Sequence, residues 1–133
     1  MEKHSANAKK IAEFLSKQDK IEWVKHPSLE SSKYHALAEK YLPSGQGGMM
    51  SFGVKGGSKK ACEFMENLKM IAIVTHVADI RSCVLHPAST THRQLSKEAL
   101  LKAGIPENLI RLSVGIENAE DIVEDIKQAL EKI

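Results

Sequence analysis

Residues 109–126 read LIRLSVGIENAEDIVEDI. Over the first seven, Ile110, Leu112 and Val114 alternate with Arg111 and Ser113, the period of a half-buried strand. From Asn118 the period changes. Ile122, Val123, Ile126, Ala129, Leu130 and Ile133 form one helical stripe. Glu120 and Asp121 sit in its first turn, where the helix dipole favours acid, and Lys127 and Lys132 lie nearer its end. A strand joined to an amphipathic helix by a short loop is a building unit of layered α/β architecture.

The rest of the chain extends the same pattern outward. SKEALLKAG (96–104) predicts a helix capped by Ser96 and closed by Gly104. Before it, SCVLHP (82–87) reads as a short strand. MIAIVTHV (70–77) is a continuous apolar run and predicts a strand buried on both faces. SKKACEFMENLK (58–69) predicts a helix capped by Ser58 with Ala61, Cys62, Met65 and Leu68 inward. MMSFGVKGG (49–57) alternates with Met50, Phe52 and Val54 on one side, and Gly56 and Gly57 end it; Gly53 is expected to admit another backbone. ESSKYHALAEKYLP (30–43) predicts a helix whose Tyr34, Leu37, Ala38 and Tyr41 share a face. IEWVKHP predicts a strand stopped by Pro27. SANAKKIAEFLSKQ (5–18) predicts a helix with Ser5 as N-cap and Ala8, Ile11, Ala12 and Leu15 inward. The order α β α β α β β α β α predicts a single α/β domain over 1–133. Its sheet would have four or five mostly antiparallel strands, with helices packed mainly on one side.

Bulk properties narrow the function. The 133 residues are 42% hydrophobic, with 19 basic and 17 acidic side chains giving +2. That suits one domain with a real core. It offers no basic stripe for nucleic acid, no apolar span for a membrane, and no signal peptide in the polar start MEKHSANAKK. Two cysteines, Cys62 and Cys83, fit reduced thiols of a cytoplasmic protein.

Several stretches invite chemistry. GQGGMMSFGVKGGSKK is glycine-rich, yet its spacing fits neither the phosphate loop nor the dinucleotide fingerprint. His76, His86 and His92 have no carboxylate or cysteine at familiar zinc spacing. Ser89, Thr90 and Thr91 would need a positioned base and an oxyanion site to act as nucleophiles, and turn hydrogen bonding explains them at less cost. Arg111 interrupts an aliphatic strand. It is either an exposed surface residue or, if covered, a two-pronged clamp for a carboxylate. The pattern alone leaves both open.

Three motifs in order, SFGVKGG (51–57), LHPASTTHRQLS (85–96) and RLSVGIENAEDIVEDI (111–126), resemble the cystathionine-synthase-like family of pyridoxal-phosphate (PLP) enzymes, and within it the O-acetylhomoserine sulfhydrylase branch. EFLSKQDKIEWVKHP and KYHALAEKYLPSGQGG extend the resemblance over nearly the whole chain. It implies the C-terminal domain of a fold-type-I PLP enzyme, with HPASTTH a strand-to-helix loop. It implies that Arg111 grips the α-carboxylate of a small amino-acid substrate, with His76 beside it. Here the sequence departs: the branch commonly has asparagine where His76 stands, and glycine where Ala78 stands. The resemblance implies a reaction of O-acetylhomoserine with sulfide or a thiol, giving homocysteine or methionine and acetate. It also implies a homotetramer and no metal. The family is about three times longer, and its cofactor lysine lies in an N-terminal domain. No residue of the chain is therefore expected to bind PLP or catalyse, and the chain alone is expected to be inactive. The rival expectation is a stand-alone, non-catalytic module binding a small carboxylate or a partner protein.

Overall fold

The alternation at 109–115 becomes the middle strand of a five-stranded sheet in the computed structural model, which describes residues 1–133. In chain order the elements are α1 (Glu2–Leu15), β1 (Ile21–Lys25), α2 (His35–Tyr41), β2 (Met49–Val54), α3 (Gly57–Glu66), β3 (Ala72–Ile73), β4 (Cys83–Leu85), a 3-10 turn (Pro87–Ser89), α4 (Lys97–Lys102), β5 (Leu109–Ser113) and α5 (Ala119–Glu131). The sheet order is β1-β2-β5-β4-β3. Three pairings are antiparallel, and only β3 runs parallel to its neighbour β4. This is the expected α/β layer.

Strand alternation sends side chains to opposite faces. Phe52 pairs with Ile110, and Met50 and Val84 both pair with Leu112. These residues join Ala8, Ile11 and Leu15 of α1, Phe64 of α3 and Ile122 and Ile126 of α5 in one buried cluster. Helices α1, α3 and α5 thus cover one face. On the other, Lys25, Ser51, Arg111 and Leu85 form a row across four strands. Ser96 and Asn118 cap α4 and α5, accepting from the amides of Ala99 and Glu120, and Gly104 sits at φ +72° after α4.

Five local expectations are corrected. Helix α1 already begins at Glu2, so Ser5 is no cap; it is buried, and its Oγ accepts from the Gly47 amide at 3.1 Å. The helix expected over 30–43 is only His35–Tyr41 and buries Ala38, leaving Tyr34, Leu37 and Tyr41 exposed. A bend held by Leu29 N–H to His26 C=O and Ser32 N–H to Leu29 C=O occupies the residues before it. Gly56, at φ +98°, takes the N-cap of α3 in place of Ser58, because the chain must turn through a left-handed residue there. The run 70–77 yields only the edge strand Ala72–Ile73, with Ile73 and Val77 exposed. It ends because its three-residue partner β4 ends and the chain folds back over β5. Gly53 has a different neighbour from the one expected. A Cβ there would collide with the indole of Trp23 and the Asn108 amide, not with another backbone.

His26 ties the end of β1 to the glycine loop. It is buried, its Nδ1 meets Ser28 Oγ at 2.7 Å, and its Nε2 lies 3.4 Å from the Gly47 carbonyl. Burial pushes its pKa down. The unfolded chain therefore takes up a proton at about pH 6.5 while the folded chain still resists it. Stability is expected to be full above that pH and to fall as the solution becomes more acid. His26→Gln should flatten the fall below about pH 6.5 in urea titrations; an unchanged slope would assign it to other groups.

Candidate functional site

Arg111 lies on the sheet face that the helices leave open, half-buried. Its Nη2 donates to the Thr75 carbonyl at 2.8 Å. No Asp or Glu pairs with it, although ion pairs occur elsewhere on the surface. A guanidinium offers five N–H donors in a planar fork, and this one spends a single donor on a neutral carbonyl. It borders a shallow depression of about 370 Å³ shared with Lys25, Ser51, Pro87 and Leu109. The arrangement is an uncompensated cation, partly oriented, at the edge of an open concavity.

The second candidate, His76, is brought to the same end of the sheet, since it follows Thr75 directly. Its ring is exposed, with Nδ1 3.3 Å from Asp79 Oδ2. Asp79 also accepts from the Arg81 amide at 2.9 Å. That amide, then the Arg81 guanidinium and His76, hold the Asp79 carboxyl down at about 2. Ala78 takes φ +56°, a left-handed conformation, and its amide donates to Ser113 Oγ at 3.2 Å. The glycine that the resemblance places here would enter that conformation without strain.

Polar side chains fasten this loop from below. Glu117 accepts from Ser82 twice, from the amide at 2.6 Å and the hydroxyl at 3.0 Å, and Ser82 Oγ accepts from the Gly115 amide at 3.0 Å. Asn7 of α1, buried, donates to the carbonyls of Gly115 (3.0 Å) and Glu117 (2.8 Å). Gly115 has a steric reason to be glycine: a Cβ would strike the Ile80 carbonyl and the Glu117 carboxylate. Sequence reasoning missed Asn7, Ser82, Asp79 and Glu117. Asn7 gave one signal, since it stands four residues before Ile11 and so shares the inward face of α1.

The HPASTTH stretch is a 3-10 turn leading toward α4. His86 is wholly buried, and its Nε2 lies 2.8 Å from the Glu107 carbonyl, so Nε2 carries the proton. Nδ1 is then an acceptor, with Ser89 Oγ at 2.8 Å and Cys62 Sγ at 3.8 Å. Ser89 therefore does have a positioned base. The amides of Ser89, Thr90 and His92 are spent on the carbonyls of His86 and Pro87 and so are not available as oxyanion donors. Thr90 Oγ1 closes the turn by donating to the His86 carbonyl at 2.8 Å. No three His, Cys, Asp or Glu side chains converge as a metal site. Cys62 and Cys83 are free thiols, and burial pushes that of Cys83 up.

Comparison with known proteins relates the chain as a whole to them. Over 134 residues the chain is 45% identical to an O-acetyl-L-homoserine sulfhydrylase of Leptospira meyeri, covering all of this chain and 30% of that protein. A homocysteine synthase of Schizosaccharomyces pombe is 44% identical, over 98% of this chain and 30% of its own length. An L-methionine gamma-lyase of Fusobacterium nucleatum is 45% identical, covering 100% and 33%. The chain thus spans about a third of the length of the relatives it matches. A Campylobacter jejuni crystal structure, assigned as an O-acetylhomoserine (thiol)-lyase and bearing pyridoxyl phosphate on a lysine, superposes with a TM-score of 0.91 at 43% identity. The match covers 98% of this chain and 31% of that one. The profile of one family runs over residues 1–131. With that profile, these identities and one shared fold, the chain belongs to the family of PLP-dependent enzymes of Cys/Met metabolism.

Proposed function

We propose that the chain is the substrate-carboxylate side of an O-acetylhomoserine sulfhydrylase, the reaction in which sulfide or a small thiol displaces acetate to give homocysteine or methionine. The observation that carries this reading is Arg111: a fork-shaped cation with no acidic partner, one donor fixed by Thr75, facing an open depression. A carboxylate fits it in two parallel hydrogen bonds. His76, which follows Thr75 and whose ring is exposed beside Asp79, is the second polar contact of this reading. Arg111 binds and orients, which fixes the reacting bonds without moving a proton itself.

The residues present do not fit the cofactor itself. Every lysine is exposed except Lys60, which is half-buried and bonded to Glu63 at 2.7 Å, so none offers the desolvated amine that a Schiff base needs. The cofactor therefore belongs to a partner segment, an N-terminal PLP-binding domain. The relatives include both sulfhydrylases and a γ-lyase; the SFGVKGG and HPASTTH motifs favour the sulfhydrylase branch over the cystathionine synthases and lyases.

In an intact enzyme built on this segment, Arg111→Lys is expected to raise KM for O-acetyl-L-homoserine by the worth of a charged hydrogen bond, about 1–3 kcal/mol or roughly 5- to 150-fold. An unchanged KM would remove Arg111 from the site. The 133 residues alone are expected to form no homocysteine, and its appearance from the pure chain would overturn the reading. The rival, a stand-alone carboxylate-binding module, would show saturable amino-acid binding with no gain when a cofactor domain is added.

A further inference from the structure

We propose that Ser113 is a positioning residue for carboxylate recognition: through the Ala78 amide it fixes the turn that presents the Thr75 carbonyl to Arg111. The inference rests on the carboxylate reading of Arg111 and deepens it.

Ser113 follows Arg111 by two residues on β5, so both point from the same face of the sheet. Ser113 is 2% exposed, and its Oγ takes the Ala78 amide at 3.2 Å. Ala78 is the only non-glycine residue of the chain with positive φ. A residue with a Cβ holds that conformation only where its surroundings impose it. Asp79 accepting from the Arg81 amide (2.9 Å) and Ile116 N–H donating to Ile80 C=O (2.9 Å) secure the loop further along. Ser113 alone reaches the strained turn from the strand that carries Arg111. Three residues before that turn, the Thr75 carbonyl receives Arg111 Nη2 at 2.8 Å.

The bonds close a ring: Arg111 to Thr75, along the loop to Ala78, across to Ser113, and two residues back along β5 to Arg111. Within it the guanidinium is anchored by one N–H, and its remaining donors stay free for a ligand. Removing the Ser113 hydroxyl opens the ring. The turn can then leave the left-handed region, the Thr75 carbonyl drifts, and a ligand must order the guanidinium as it binds, which weakens affinity. Ser113 touches no substrate in this scheme; it acts through Ala78 and Thr75.

The test is the KM for O-acetyl-L-homoserine of an intact enzyme built on this segment, as the measure of binding, together with amide exchange read at Ala78 and in the core. Ser113→Ala is expected to raise KM about five-fold, the scale of one lost hydrogen bond, and to speed exchange at Ala78. Exchange in the core, as at Phe52 and Leu112, should not change. Adding Ala78→Gly to that variant should recover part of the affinity, because glycine enters the turn without strain and needs the pin less. Arg111→Lys separates the two ideas. If it raises KM while Ser113→Ala leaves KM and Ala78 exchange unchanged, the positioning role is overturned and the carboxylate reading stands. If Arg111→Lys leaves KM unchanged, the carboxylate reading fails and takes the inference with it. If Ser113→Ala speeds exchange in the core, or Ala78→Gly recovers nothing, Ser113 is merely structural and the proposal is overturned.

Discussion

Phe64→Ala is expected to destabilise the fold by about 3–5 kcal/mol, the cost of removing a buried aromatic and leaving part of its cavity. Phe64 is fully buried on α3, and its ring meets Phe52 of β2 edge to face, with centroids 5.8 Å apart and planes at 85°. This contact pins the helical layer to the middle of the sheet. Total stability of such a domain is about 5–15 kcal/mol, so the variant should lie close to the unfolding threshold. Urea denaturation checks it. In a double-mutant cycle with Phe52→Leu the rings should couple by about 1 kcal/mol beyond burial. Leu37→Ala is the internal control: Leu37 is 53% exposed on α2 and should change stability by no more than about 0.5 kcal/mol. A Phe64 effect of that same size would mean the layer is held elsewhere.

Where periodicity and burial agree, the sequence was enough. β5 and α5 follow their alternation and stripe, and the caps at Ser96 and Asn118 are where hydroxyl and amide side chains precede an apolar run. Periodicity failed where the structure leaves apolar residues in water. Ile73, Val77 and Ile80 are 48%, 55% and 66% exposed, and the outer face of α2 is similarly bare. A run of apolar residues signals that something covers it, and no local rule says whether the cover is the chain itself.

The site was legible only in its charged centre. Arg111 stood out against an aliphatic strand, and the resemblance gave it a role. Its supports did not stand out. Ser113 looked like an outward-facing strand position, and Ala78 stood out only as a departure from the glycine of the resemblance. Their roles depend on a loop folding back over β5, a tertiary event that spacing along the chain does not encode. Glu117 carried no signal in the sequence, yet it is the clamp that seats Ser82 beneath that loop.

Asp125 extends that lesson to a buried charge, and Asp125→Asn is expected to cost about 2–4 kcal/mol, the worth of one or more hydrogen bonds to a charged acceptor. In sequence it is one acid among several on α5. In the fold it is only 6% exposed, and its carboxylate collects three consecutive backbone amides: Lys69 at 2.8 Å on Oδ1, and Met70 and Ile71, both at 2.9 Å, on Oδ2. Gln128 Nε2 adds a fourth donor at 3.1 Å. The three amides lie where α3 gives way to β3, out of reach of either ladder, so this carboxylate is their partner. Asparagine keeps the shape but turns one acceptor into an NH₂ group. Either orientation then sets donor against donor, and a buried amide is left unpaired. The loss should appear as a lower urea midpoint with faster amide exchange at 69–71. The same segment leads through β3 to Thr75, so loosening it should also speed exchange at Ala78, with Arg111 and Ser113 untouched. A loss below about 1 kcal/mol would show that solvent substitutes for the carboxylate, and that the loop after Thr75 is held by Ser82, Ser113 and Glu117 alone.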